Sequence, residues 1–232
     1  MIRIENLTIK RGDRTLLRDC TADFAAGQLT ALIGRNGSGK TTLLRALAGL
    51  TGDYSGRILI GENPLGKGHA GRGRSVAFVG TARVRVPEMR VGELVALGRS
   101  PYTGLGGRLS ADDRLIVERS LRLTGMEPLA RRRLDSLSDG EAQRAMIARA
   151  LAQATPVILL DEPTSFLDIP ARRRLAELLS SLAHDQGKCI LFSTHELSLA
   201  ASYADNAVLL RDGRLEHLQP AEIDEIFRDD RD

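Results

Sequence analysis

Gly34-Arg35-Asn36-Gly37-Ser38-Gly39-Lys40-Thr41 fits the phosphate-loop pattern of glycine, four free positions, glycine, lysine and a hydroxyl residue. Its flanks fit as well. Leu29-Thr30-Ala31-Leu32-Ile33 before it is a short apolar run suited to a buried parallel strand, and Thr42 to Ala48 after it is rich in helix formers. Glycines let successive backbone N–H groups and the positive end of a helix close around an anion. The run predicts a nucleoside triphosphate site built from Gly34, Arg35, Asn36, Gly37, Ser38, Gly39, Lys40, Thr41 and Thr42. Lys40 is expected at the terminal phosphates and the Thr41 hydroxyl on Mg²⁺.

Outward from this run, Ile2, Ile4, Leu7 and Ile9 alternate with polar residues, and Leu16 to Phe24 alternates loosely, which suggests an N-terminal antiparallel pair. Arg57 to Ile60 and Ser75 to Val79 read as strands, with a mobile loop from Gly61 to Arg74 between them. From Val91 the pattern becomes helical. Ser110-Ala111-Asp112-Asp113 is a helix start, and Gly125 ends that helix. Val157 to Leu160 and Cys189 to Ser193 read as buried strands, and Asp212-Gly213 as the turn of a hairpin. Alternating strands and helices predict an α/β fold with a parallel core and a helical insertion.

The 232 residues suit one large domain or a domain with a subdomain. Net charge is +3, with the basic residues almost wholly arginine and dispersed, and aromatics are 3%, which gives a base-stacking surface little support, so no nucleic-acid partner is expected. Arg131-Arg132-Arg133 and Arg172-Arg173-Arg174 read as solvated helix faces or ends. Two cysteines provide neither a disulfide framework nor a metal cluster. With no apolar run of about 18 residues, and no apolar core to the N-terminus, the chain is expected to be cytosolic and to reach a membrane only through another chain. Glu222 to Asp232 reads as a surface helix and a loose end.

Four further segments carry chemistry. Ser138-Asp139-Gly140-Glu141 opens a helix with a capping box, and such a start also suits an anion. Asp161-Glu162 ends an apolar strand, so Asp161 is placed for Mg²⁺ and Glu162 to polarise an attacking water. Ser165-Phe166-Leu167-Asp168 follows at once, and His195 sits at the end of the last long apolar strand, where such sheets bind ligands.

In this order and spacing, these segments resemble an ATP-binding cassette (ABC) ATPase over essentially the whole chain. The resemblance implies a P-loop NTPase (RecA-like) core at 1–84 and 153–232, an N-terminal antiparallel β subdomain, and an inserted helical subdomain at 85–152. It implies ATP and Mg²⁺ as cofactors and a head-to-tail dimer. Ser138, Gly140, Glu141 and Asp168 would then act on nucleotide held by the partner copy, while Glu162 and His195 serve as catalytic residues in their own subunit. Val91 to Tyr102 and Leu109 to Asp113 resemble the helical region of iron-siderophore, haem and cobalamin importers. That likeness implies transmembrane permease subunits, an extracytoplasmic substrate-binding protein, and a peripheral place on the cytoplasmic face of the cell membrane. Three positions depart from the family pattern. Arg11 stands where an aromatic usually stacks on adenine, Gly80-Thr81 where proline and a metal-contacting glutamine are usual, and Asp139 where a glycine is usual. Arg11 is the expected base-stacking substitute, Thr81 a candidate metal ligand, and the Asp139 carboxylate is expected to point away from the nucleotide. Alternative readings are a nucleotide-dependent dimerisation switch with weak hydrolysis, an ABC ATPase for another cargo, or a non-transport role.

Overall fold

The computed structural model describes residues 1–65, 72–82, 86–104 and 106–223. The N-terminal third runs through β1 (Ile2–Arg11), β2 (Arg14–Phe24), β3 (Leu29–Ile33), α1 (Lys40–Leu47), β4 (Tyr54–Ile60), β5 (Asn63–Pro64), the single turn α2 (Arg72–Ser75) and β6 (Val76–Val79). Helices dominate the middle: α3 (Val91–Ala96), α4 (Ala111–Leu123) and α5 (Asp139–Ala152). The chain then alternates through β7 (Val157–Leu160), α6 (Ile169–Gln186), β8 (Cys189–Ser193), α7 (Leu197–Tyr203), β9 (Asn206–Arg211) and β10 (Arg214–Leu218).

The strands form two sheets. One is antiparallel, in the order β2-β1-β4-β5; the other runs β10-β9-β3-β8-β7-β6, parallel except for the β9–β10 hairpin. β3 is buried along its whole length because both faces of the larger sheet are covered. Leu29, Ala31 and Ile33 pack on the side of α5 and α6. Leu32 points the other way, toward Ile2, Ile4 and the α1 residues Leu43 and Leu44. The two-residue period of a strand thus sends alternate side chains into two cores, with α1 between the sheets. α3 and α4 both pack on α5.

Two expectations change. Ser75 belongs to α2 rather than to the strand, and the expected loop from Gly61 contains β5, which pairs Asn63 with Ile60. Residues 66–71 of that loop, the 84/85 boundary and residues 224–232 of the C-terminal segment lie outside the described residues.

The helical region has its own buried charge. Arg99 Nε donates to Asp113 Oδ1 at 2.8 Å, Arg99 Nη1 donates to Ala152 O at 2.9 Å, and the guanidinium lies 3.9 Å from the Tyr102 ring centroid. Ser110 hydrogen bonds, followed by the Arg99 guanidinium, hold the Asp113 carboxyl down at about 2. One carboxylate thereby caps α4 and neutralises a buried arginine.

Candidate functional site

The site forms where β3, β7 and β8 end side by side. Their registers, Leu32 opposite Ser193 and Leu160 opposite Phe192, bring Gly34, Asp161 and Ser193 to one edge. Gly34 leaves β3 at φ 150°, and a Cβ there would lie 2.6 Å from Leu210 O, so only glycine fits. The loop then turns back on itself. Lys40, nearly buried at the start of α1, donates through Nζ to Gly34 O at 2.7 Å and Arg35 O at 3.2 Å. Desolvation pushes the Lys40 ammonium below the usual lysine range, opposed by the charges of Glu162 and Asp161. Ser38 Oγ, in the same loop, is buried without a hydrogen-bond partner. An orphaned buried hydroxyl is uncommon, and here it lies in a glycine loop beside a lysine, as a bound phosphate requires.

A chain of hydrogen bonds joins this loop to the acidic strand end. Thr41 Oγ1 donates to Asp161 Oδ1 at 3.1 Å, and Ser193 Oγ donates to the same oxygen at 2.8 Å. Ser193 Oγ also accepts the Glu162 N–H at 2.9 Å. Glu162 has a left-handed backbone, φ 46°, a conformation that costs a non-glycine residue of order 1–3 kcal/mol unless its surroundings enforce it. The Ser193 bond is one of those enforcing contacts. The Glu162 side chain accepts from Ser165 Oγ at 3.0 Å, and His195 Nδ1 lies 3.7 Å from Glu162 Oε2, close enough for electrostatic contact but too long for a hydrogen bond.

Behind this pair stands a second bracket. Glu196 accepts from Thr164 Oγ1 and from Arg172 Nη1, both at 2.8 Å, while Arg172 Nε donates to Leu167 O at 2.8 Å. The loop carrying Glu162 to Asp168 is thereby tied to the residue after His195. Arg172 is accordingly no solvated helix face. Arg173 and Arg174, next to it on α6, are exposed as expected, whereas Arg131 to Arg133 sit between the short turns Glu127–Leu129 and Leu134–Ser136.

Ser138 caps α5. Its Oγ accepts the Glu141 N–H at 3.3 Å, and Glu141 Oε2 accepts the Ser138 N–H at 2.8 Å. That backbone bond is the main cause holding the Glu141 carboxyl below the usual range, so this group is engaged in the cap. Gly140 packs against the acidic loop: a Cβ there would lie 3.2 Å from Phe166 O. Asp168 caps α6 by accepting the Ala171 N–H at 2.8 Å, and the apolar Phe166 and Ile169 beside it are exposed. Among the described residues, no hydrogen bond or ion pair joins Ser138, Gly140 or Asp168 to the phosphate loop of the same chain.

Arg11, the expected base-stacking residue, is exposed at the end of β1 and pairs across a two-residue turn with Arg14. A cavity of about 330 Å³ beside the phosphate loop is lined by Arg14, Arg35, Ser38 and Arg211, and not by Arg11. Thr81 is exposed just beyond β6 and lines a narrow space with Asp139, Gln143 and Phe166, at the start of α5. Sequence reasoning did not single out Ser193, Thr164, Arg172, Glu196 or Arg14 as site residues. Ser193 ends the apolar strand before His195 and Glu196 directly follows it, so both could have been found beside that histidine. Arg172 and Thr164 gave no local signal.

Comparison with known proteins agrees with this geometry. A family model described as ABC transporter matches residues 17–165. The petrobactin import ATP-binding protein FpuC of Bacillus anthracis is 36% identical over 94% of this chain and 80% of its own length. The cobalamin import ATP-binding protein BtuD of Halobacterium salinarum is 37% identical over 91% of this chain, which spans only 53% of that relative. Among solved structures, a dimeric post-hydrolysis state of the ATP-binding cassette MJ0796 bound to ADP and Pi superposes with a TM-score of 0.83 at 26% identity. That match covers 95% of this chain and 99% of the other. The chain belongs to the ABC transporter family.

Proposed function

We propose that the protein is the ATP-hydrolysing subunit of an importer that takes up an iron chelate, haem or cobalamin through a membrane permease. The observation that carries this reading is the continuous chain Thr41–Asp161–Ser193–Glu162, which ties the phosphate loop to an acid at the neighbouring strand end. Gly34 to Thr42 would wrap the phosphates, and Lys40 would exchange its two loop carbonyls for phosphate oxygens. Thr41 and Asp161 offer the hard oxygen donors that Mg²⁺ prefers, with Thr81 the remaining candidate; the ion would neutralise charge on the phosphates. Glu162 would accept a proton from the water that attacks the γ-phosphorus, as the bond to the leaving ADP oxygen breaks. His195, beside Glu162, would contact the γ-phosphate.

Ser138, Gly140, Glu141 and Asp168 do not bond to the phosphate loop within one chain. Their placement on α5 and at the start of α6, with Phe166 and Ile169 exposed, supports action on nucleotide in a second copy packed head to tail. The names of the relatives, import ATP-binding proteins, support a permease partner; an extracytoplasmic substrate-binding protein that selects the cargo and a place on the cytoplasmic face of the membrane would complete the system. Among the described residues no helix is long and apolar enough to cross a membrane. The helical insertion would comprise 85–152, and the core the remainder.

The test is Glu162→Gln in the full-length chain. It should retain MgATP binding and lose nearly all turnover, because the proton acceptor is removed while the phosphate cradle stays. Robust turnover in that variant would refute the role of Glu162.

A further inference from the structure

A second cavity, of about 300 Å³, lies away from the phosphate loop where the C-terminal end of α4 meets α5 and α6. Its floor is aliphatic: Ile147 from α5 and Leu175 and Leu178 from α6. Its ionisable lining consists of Arg122, Arg144 and Arg174, with no acidic residue among the lining side chains. Arg122 is mostly exposed, with Glu127 4.0 Å from its Nε, and marks the open side. Arg144 is different. Its Nε is buried and has no hydrogen-bond partner. A buried guanidinium N–H without an acceptor is a group waiting for one, and no acceptor lines the cavity as a carboxylate. The helical periodicity explains the convergence. Arg144 and Ile147 are three apart on α5, while Arg174 and Leu178 are four apart on α6, so each helix turns one cation and one aliphatic toward the same space.

We infer that this cavity is a binding site for a small organic anion, a carboxylate or phosphate ester with a compact apolar body. Planar guanidinium forks match the two oxygens of such a headgroup, and three of them at one mouth raise the local concentration of anions. The aliphatic floor takes the body of the ligand, and the volume is that of a small-molecule pocket. None of these residues belongs to the nucleotide site. Yet α5 and α6 are the helices whose first turns carry Ser138 and Asp168, so an occupant would brace two helix starts that the nucleotide site uses.

The test uses the full-length protein with ADP present at saturation and 8-anilinonaphthalene-1-sulfonate as a fluorescent probe, a sulfonate on an apolar body. N-phenyl-1-naphthylamine, the same body without the charge, is the control. The sulfonate should bind at one site per chain, and Arg122→Gln/Arg174→Gln should weaken it about tenfold or more, with circular dichroism showing an intact fold. The neutral control should bind weakly and be indifferent to the substitutions. Hexyl phosphate or hexanoate should displace the probe, and whichever does so at lower concentration identifies the headgroup. Equal probe affinity in the double variant, or failure of both competitors, would overturn the proposal.

Discussion

Ser193→Ala removes one oxygen from a fully buried position and leaves the volume almost unchanged, so its effect isolates the hydrogen bonds of that oxygen. Two are lost. Asp161 loses a charge-assisted donor at 2.8 Å, a type of bond worth about 1.5–3 kcal/mol. The Glu162 N–H loses its acceptor at 2.9 Å, and a buried unpaired donor costs about 1–3 kcal/mol. Screening by solvent is negligible at zero exposure, so a loss of about 3 kcal/mol is expected. For a chain of this size each kcal/mol lowers Tm by roughly 2–4 °C, which predicts a fall of roughly 6–12 °C in a calorimetric melt. The second consequence is kinetic. With its N–H released, Glu162 can relax from φ 46° toward an ordinary conformation, which moves the carboxylate. MgATP turnover should therefore fall more than tenfold while KM changes little, because the phosphate cradle is untouched. A variant melting within about 1 °C of the parent, with turnover within about twofold, would refute the claim that Ser193 holds this strand end in place.

Two further outcomes concern stability. Gly98, in the turn Leu97–Arg99, approaches α5 so closely that a Cβ would lie 2.3 Å from Arg149 O and 3.0 Å from the Ala152 Cβ. Gly98→Ala must push that turn off α5 and should cost about 3 kcal/mol, read as a drop in Tm of roughly 6 °C or more; an unchanged Tm would contradict the packing. The Asp113 carboxyl lies at about 2 in the folded chain, below its ordinary 3.8, so its contribution is complete above about pH 4 and disappears as pH falls toward 2. Urea midpoints measured between pH 5 and pH 2 should fall more steeply for the parent than for Asp113→Asn, and parallel curves would exclude this carboxylate as a source of acid sensitivity.

What could be read in the sequence is what is local along the chain. The strand, glycine loop and helix around Gly34 to Thr41, the cap of α5 by Ser138 and Glu141, the cap of α4 by Ser110 and Asp113, and the hairpin at Asp212-Gly213 each depend on residues within a few positions, and each formed as expected. The buried runs Leu29 to Ile33, Val157 to Leu160 and Cys189 to Ser193 were legible for the same reason. The bonds that assemble the site are another matter. Ser193 meets Asp161 only because β7 and β8 are neighbours in one particular register, and Arg172 meets Glu196 only because α6 starts beneath β8's exit. A register is a property of the whole sheet, and no periodicity announces it. Arg11 illustrates the same limit. Its position suggested a base-facing role, but the two-residue turn puts Arg14 rather than Arg11 on the wall of the cavity beside the loop.

The strand that feeds the phosphate loop has its neighbours late in the chain: Leu29 pairs with Ile190, and Thr30 with Asn206. Even Gly34 is held against the carbonyl of Leu210. During synthesis the nucleotide motif is therefore complete by Thr41, while the strands that shape it follow only from Cys189 onward. A nascent chain halted before β9 would carry the whole phosphate-binding sequence and still lack the frame that bends it around a phosphate. Full nucleotide affinity should therefore require β8 and β9, and a fragment ending before Asn206 should bind ATP far more weakly than the whole chain.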